Sequence, residues 1–392
     1  MRGLSGMSDE SQKFIKLGNL IKFKYGKSLP NRERDPDGKY LVFGSGGKIG
    51  LHNSYLTESP VIVVGRKGSI GSTFYSDNPC WCIDTTYYVD QFSSNLYSKY
   101  LYYFLNTLKL DRLNRAATIP GLSRDDLYTF SIPIPYPNNP KLSLDIQQRI
   151  VARIESLFGE IKRNRLLLEQ MRLDNDLLLP NALDEVVERL DSKRQTLLDV
   201  IQEKPRNGWS PKCDNDPNGV PVLKLGAVLR FQYNPDEIKR TSLPTDENAH
   251  YWLEAGDILI SRSNTLDLVG HASIYSGIPY PCIYPDLIMR FRVNPNKADS
   301  KFLMYWLQSK EVRHYIQTNA SGASPTMKKI KQETVCNIPF PIISLEEQSY
   351  FAYHLDAIQQ EVNKINRIIE EDEQNFKYLE QAILEKAFRG EL

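Results

Sequence analysis

The residues of this 392-residue chain best suited to chemistry are basic, polar and arranged in pairs. Gly65-Arg66-Lys67-Gly68-Ser69-Ile70-Gly71 follows the apolar run 61–64, and Ser261-Arg262-Ser263-Asn264-Thr265 follows the matching run 257–260, apolar after its opening Asp257. An arginine leaving a strand end suits bidentate contact to guanine or to a phosphate; asparagine can pair with adenine, and serine or threonine with phosphate. The internal alternative is that Arg66 and Arg262 pair with Asp84 and Asp286, which are themselves matched. A second pair of loops comprises Arg115-Ala116-Ala117-Thr118-Ile119-Pro120-Gly121-Leu122-Ser123 and Asn319-Ala320-Ser321-Gly322-Ala323-Ser324-Pro325-Thr326. Their small hydroxyl residues and glycines allow close approach to phosphates. Lys328, Lys329 and Lys331 follow at once, and each lysine set on a phosphate steepens salt dependence without adding sequence preference. The candidate contacts are therefore Lys48, Arg66, Lys67, Ser69, Arg115 and Thr118 in the first half. In the second they are Arg262, Ser263, Asn264, Thr265, Ser321, Thr326, Lys328 and Lys329.

Catalytic constellations do not match. Gly44-Ser45-Gly46-Gly47-Lys48-Ile49-Gly50 superficially resembles a cofactor loop, but Ile49 occupies the third required glycine position and no amphipathic helix follows. It reads as a turn. Cys80 and Cys82 are too close for a zinc knuckle, and the five histidines lie far apart. Glu237-Ile238-Lys239 resembles the tail of a nuclease metal site, yet Asp236 is too near to be the preceding carboxylate. The expectation is a chain that is not itself catalytic and binds no cofactor.

The elements that must position these residues also occur twice, about two hundred residues apart. Lys16-Leu17-Gly18 matches Lys224-Leu225-Gly226, and Lys99-Tyr100-Leu101 matches Lys301-Phe302-Leu303. Ile132-Pro133-Ile134-Pro135 matches Ile338-Pro339-Phe340-Pro341. Such spacing indicates an old duplication, not a short-period solenoid. Around the loops, short β-branched and aromatic runs (40–43, 61–64, 85–89) alternate with turn residues, and helices are expected near 98–110 and 300–317.

After each proline pair the period becomes helical. Ile150, Ile154, Leu157, Ile161, Leu168, Met171 and Leu178 mark the first long helix, with Ser143 as expected N-cap, Gln147 near a capping-box position and Pro180 interrupting its end. From Ser344, Leu355, Ile358, Val362, Ile365, Ile369, Phe376, Leu379 and Ile383 form a heptad seam broken at Asp372. Forty residues make about 60 Å of helix, too long to lie across a domain ~30–35 Å wide, so the two stripes are expected to bury each other.

The net charge of +1 divides unevenly: about +5 over 1–140, −2 over 141–203, +4 over 204–343 and −6 over 344–392. Two basic blocks alternate with two acidic ones, the asymmetry that steers a polyanion. No apolar run approaches the roughly 20 residues of a membrane helix. The stretch 1–10 lacks a signal-peptide core, and five scattered cysteines favour reduced thiols, so a cytoplasmic location is expected.

Taken in order, the chain resembles the specificity subunits of type I restriction–modification systems. The carriers are the Gly-Arg-Lys-Gly-Ser-Ile-Gly loop, Ile132–Pro135 leading to Leu144 and Gln147, and Ile338–Pro341 leading to Leu345 and Gln348. The helix endings Leu179-Pro180-Asn181-Ala182-Leu183-Asp184 and Ala382 to Leu392 belong with them. The resemblance implies an α+β fold: two related β-rich α/β target-recognition domains (12–140 and 204–343) separated by two long helices (141–203 and 344–392) that pair as an antiparallel coiled coil. It implies that each domain reads half of a bipartite site in double-stranded DNA. The helices would set the spacer and dock two methyltransferase subunits. S-adenosylmethionine would then reside on the methyltransferase, and ATP with Mg on a separate restriction subunit. One departure is Glu185-Val186-Val187 where the C-terminus has Lys386-Ala387-Phe388, which makes the two docking surfaces unequal. The alternative is a non-catalytic scaffold that binds partners through its coiled coil.

Overall fold

The computed structural model describes residues 12–113, 121–190, 192–243, 245–324 and 326–392, so Arg115, Thr118 and the stretch 1–10 lie outside the described residues. The chain forms two compact units, Met1–Glu169 with Glu370–Leu392, and Gln170–Ile369. Each is built on the same plan.

In the first unit, four antiparallel strands lie in the order Lys24–Tyr25, Thr86–Val89, Val61–Gly65, Thr73–Ser76. Val61–Gly65 is buried along its whole length. Because strand side chains alternate, Ile62 and Val64 enter one core with Tyr87, Val89 and helix Ser98–Thr107. Val61 and Val63 enter another with Phe43, Cys80 and Cys82. Each fully buried Val or Ile contributes about 1.5–3 kcal/mol, so a one-residue slip would be costly from both faces and the exit point of Arg66 is fixed. The strand Gln12–Lys16 pairs with Ser131–Pro135 and closes the unit before the long helix.

The second unit repeats this order with Arg206–Asn207, Ile288–Phe291, Ile258–Ser261 and Ala272–Ile274. It also repeats the alternation, with Ile258 and Ile260 in one core and Leu259 in another. Its closing pair is Arg194–Thr196 with Pro339–Pro341. That pair corrects one sequence match. The counterpart of Leu17 is Leu197, not Leu225: Leu17 N–H donates to the Phe130 carbonyl, and Leu197 N–H to the equivalent Ile338 carbonyl. The short Lys-Leu-Gly identity is fortuitous, and hydrogen-bond topology outranks it.

The long helices are Pro140–Arg189 and Leu345–Arg389, 50 and 45 residues, or about 75 and about 68 Å. The first begins at Pro140, a first-turn position where proline loses no needed N–H, and not at Ser143. Nor does Pro180 end it, since burial of Leu179, Leu183 and Val186 holds the helix on both sides. The seam also differs from expectation. Met171 and Leu178 are exposed, while Leu168, Asn175, Leu179 and Leu183 are buried. Asn175 donates to the Val362 carbonyl and to Asn366 Oδ1, both at 3.0 Å. In the same unit, the segment from Leu178 to Glu185 lies against that from His354 to Glu361. One helix therefore ascends as the other descends, which is the antiparallel pairing. In the first unit Arg165 holds Glu380 through two hydrogen bonds of 2.8 and 2.9 Å.

Gln147 does not serve a capping box. Fully buried, it accepts from Tyr97 N–H at 2.8 Å and donates to the Asn95 carbonyl at 2.7 Å, clasping the start of helix Ser98–Thr107, which has no side-chain cap. Gln348 repeats the clasp on Asp299 N–H and the Lys297 carbonyl. The ion pairs Lys99–Glu155 and Lys301–Asp356 sit alongside, again as counterparts. These polar fastenings tie each sheet's helix to its own long helix.

Candidate nucleic-acid interface

The second unit gathers the predicted residues of both its loops. Ser263 and Asn264 pair in antiparallel register with Lys329 and Lys328, and Ser321 bridges to Lys329. Ile330 N–H then donates to the Arg262 carbonyl at 3.0 Å. A short ladder thus brings Arg262, Ser263 and Asn264 beside Lys328, Lys329 and Ser321. Thr265 begins the turn that follows, where its carbonyl accepts from Leu268 and Val269. Thr326 is exposed within the opposite loop, where its hydroxyl meets Ser324 Oγ. Lys328 is partly committed, donating to the Gly322 carbonyl at 2.7 Å, whereas Lys329 is exposed with its ammonium free to meet an anion.

Neither arginine follows the internal alternative. Among the described residues Arg66 and Arg262 have no carboxylate partner: Arg262 donates to the backbone carbonyl of Asp286 at 3.3 Å, while the Asp286 carboxylate accepts from Ser210.

In the first unit the equivalent contact is Leu122 N–H to the Arg66 carbonyl at 3.0 Å, which brings the end of the second loop to the first. Gly44–Gly50 is a β-hairpin and not a cofactor loop: Tyr40–Gly44 pairs with Gly47–His52 across the turn Ser45-Gly46, leaving Lys48 exposed on the second strand. That turn packs on the arginine loop. A Cβ on Gly65 would come within 2.9 Å of the Ser45 carbonyl oxygen and 2.1 Å of that of Ser69. Lys67 and Ser69 remain exposed on the loop.

Arg66 itself is held by residues the sequence did not flag. Its guanidinium lies 5.2 Å from the ring centroid of Tyr25 and 5.8 Å from that of Tyr87. Arg124 approaches Tyr25 at 4.4 Å. Burial, with a hydrogen bond to Tyr25, pushes the Tyr87 phenol up to about 12, so it stays neutral and donates to the Leu122 carbonyl at 2.9 Å. No local signal marks Tyr25, Tyr87 and Arg124 as a group, because strand pairing and a helix start assemble them from three distant segments.

The second unit holds its loop differently. His271 follows the loop and accepts Ser261 N–H at its carbonyl, 2.8 Å away. Burial first, then Arg313 and Arg230, lower its pKa to about 4. A depressed folded pKa means that protonation opposes folding. Stability is fully present above the ordinary value near 6.5 and is lost as pH falls toward 4. Chemical denaturation across that window should show this unit weakening, and His271→Gln should flatten the profile. A slope unchanged in the variant would assign the loss to other groups.

The molecule also exposes an unusual run of apolar side chains in the middle of its first long helix: Leu166, Leu167, Met171, Leu173, Leu177 and Leu178. Each unit further has a groove between its helical segments. One of about 410 Å³ is bordered by Arg153, Leu157 and Lys386; the other, about 620 Å³, has His354, Ile358 and Glu185 at the matched places. No helix among the described residues is long and apolar enough to cross a membrane.

Comparison with known proteins agrees with this duplicated plan. The family model described as type I restriction modification DNA specificity domain matches residues 9–170 and 191–374. The chain is 25% identical over 296 residues to the specificity subunit of type I restriction enzyme StySPI from Salmonella potsdam, covering 72% of this chain and 62% of that subunit. It is 22% identical over 402 residues to that of EcoDI from Escherichia coli, covering 97% and 88%. Two solved structures share the fold. One belongs to a study of complex assembly and conformational transition in the type I R-M system, with a TM-score of 0.69, 21% identity and 97% and 98% coverage. The other is the HsdS subunit from Thermoanaerobacter tengcongensis, with a TM-score of 0.54, 20% identity and full coverage of both chains.

Proposed function

The chain belongs to the type I restriction–modification DNA specificity family, and from that membership we propose that it is the sequence-reading subunit of such a complex. The observation that carries the reading is the duplication itself: two sheets of identical strand order, each sending an arginine loop from the same strand end. Two scaffolds with divergent loops suit the reading of two different half-sites in double-stranded DNA. In the first half the proposed contacts are Lys48, Arg66, Lys67, Ser69, Arg115 and Thr118. In the second they are Arg262, Ser263, Asn264, Thr265, Ser321, Thr326, Lys328 and Lys329.

The chain is proposed to act without catalysis of its own, in the cytoplasm, with two methyltransferase subunits that carry S-adenosylmethionine and restriction subunits that use ATP and Mg. The exposed apolar side chains along the first long helix support docking of protein partners, since apolar surface left open to solvent can mark interaction sites. Exchange of Lys386 for Glu185 between the matched grooves supports partner surfaces of unequal charge.

Single-molecule methylation sequencing of host DNA, with and without the gene, tests the assignment. Loss of methyladenine at one motif, two defined halves around an unspecified gap, is the expected result; an unchanged methylome in expressing cells would favour the scaffold alternative. Arg262→Ala should then relax or abolish the second half-site only, each lost bidentate base contact removing about 1–3 kcal/mol of discrimination. Retention of full discrimination would mean that Arg262 is not a reader.

A further inference from the structure

The two arginine loops are alike in backbone but not in what holds the arginine. In the first unit Arg66 and Arg124 both lie on the ring of Tyr25, at 5.2 and 4.4 Å from its centroid, and Tyr25 packs edge-on against Tyr87 at 5.1 Å. Two cations on one ring repel each other. Among the described residues no carboxylate pairs with either. Among the described residues Arg66 Nε is buried without a hydrogen-bond partner, and the Arg124 guanidinium donates only to the Phe23 carbonyl, at 3.4 Å. Tyr25 is half-exposed, so the cluster opens to solvent.

The duplication supplies an internal comparison. Tyr25 pairs in register with Tyr87, as Asn207 pairs with Met289. Arg124 reaches the Phe23 carbonyl as Gln332 reaches the Pro205 carbonyl at 2.6 Å. At the positions of Tyr25, Tyr87 and Arg124 the second unit thus has Asn207, Met289 and Gln332. It keeps the strand-end arginine but has neither the aromatic platform nor the second cation.

Resting on the proposed DNA-reading function, we infer that Arg66 and Arg124, stacked on Tyr25, form a clamp for one backbone phosphate of the first half-site, with no counterpart in the second unit. Contact with the ring holds both guanidinium groups beside it. A phosphate offers several acceptor oxygens and a full negative charge, which relieves the repulsion between the two cations, whereas a guanine edge takes a single bidentate arginine and relieves none. Arg66 then positions the DNA, and base preference in this half comes from other loop residues.

The test uses the full chain and a duplex carrying the bipartite site read from the methylome, titrated over a range of KCl. Arg124→Gln installs the residue found at the matched place in the second unit, so the backbone hydrogen bond and the fold are kept. The salt slope of log affinity should flatten by about 1, with cognate and base-substituted duplexes weakened alike and Arg124→Lys restoring the slope. An unchanged slope, or relaxed preference at a single base pair, overturns the clamp while leaving DNA reading intact. A wild-type chain with no preference for the site over a scrambled duplex overturns the DNA-reading function and the clamp with it.

Discussion

Asp257→Ala should lower the unfolding transition of the second unit by about 3–5 kcal/mol and leave that of the first unit in place. Asp257 is 1% exposed and stands immediately before the strand Ile258–Ser261 that delivers Arg262. Its carboxylate accepts from Arg292 Nε at 2.6 Å and from Glu254 N–H at 2.9 Å. Arg290, 5% exposed, lies 4.0 Å away, bonded also to Glu203 and to the His250 carbonyl. Removing the carboxylate takes from Arg292 and the buried Arg290 their shared buried partner, leaving them the more exposed Glu254 and Glu203. The penalty comes from buried donors left without their acceptor, Glu254 N–H and Arg292 Nε among them, and not from the intrinsic worth of the pair. For a unit of this size the transition should fall by about 6–20 °C. Asp257→Asn keeps an acceptor for Glu254 and should cost less. Differential scanning calorimetry reads both transitions, and two unshifted peaks in Asp257→Ala would refute the structural role. Discrimination at the second half-site should fail at a temperature where the first still holds.

The site was partly legible in the sequence because its scaffold is a repeated strand pattern. A buried strand of β-branched residues ending at a basic loop leaves a linear trace, so Arg66 and Arg262 could be matched, and the proline pairs located the closing strands. The Ser263–Lys329 ladder could be anticipated only as two loops, since pairing across 66 residues has no periodicity. Gln147 illustrates the opposite limit. Its spacing after Ser143 fitted a local cap, but burial turned it toward Asn95 and Tyr97, contacts about fifty positions away. The seam was misplaced at Met171 and Leu178 because a heptad count ranks apolar side chains above Asn175. In the folded chain that asparagine satisfies the Val362 carbonyl from within the seam, a contact that a leucine could not make. Tyr25 and Arg124 were missed because cation–aromatic contact depends on tertiary placement alone.

Adding one heptad to both long helices, after Glu169 in the first and after Ile369 in the second, should lengthen the unspecified gap of the recognised site by about three base pairs and keep both half-sites. Seven residues add about 10 Å of helix at 1.5 Å per residue, close to three steps of 3.4 Å along DNA. The positions follow from the fold: each long helix contributes one segment to each unit, and the division falls at those two points. Insertion near Asn181 alone would be a poorer experiment. It would push Leu183 and Val186 out of the second unit's core and leave Asn175 without Val362 as partner. A heptad, unlike a four-residue turn, returns the seam to within about 20° of its original face, so Arg165–Glu380 and Asn175–Asn366 can both re-form. Methylome sequencing reads the gap directly. A lengthened gap with unchanged halves would establish the helices as the element that sets spacing. An unchanged gap in a folded, active variant would sink the ruler model and transfer that role to the loops.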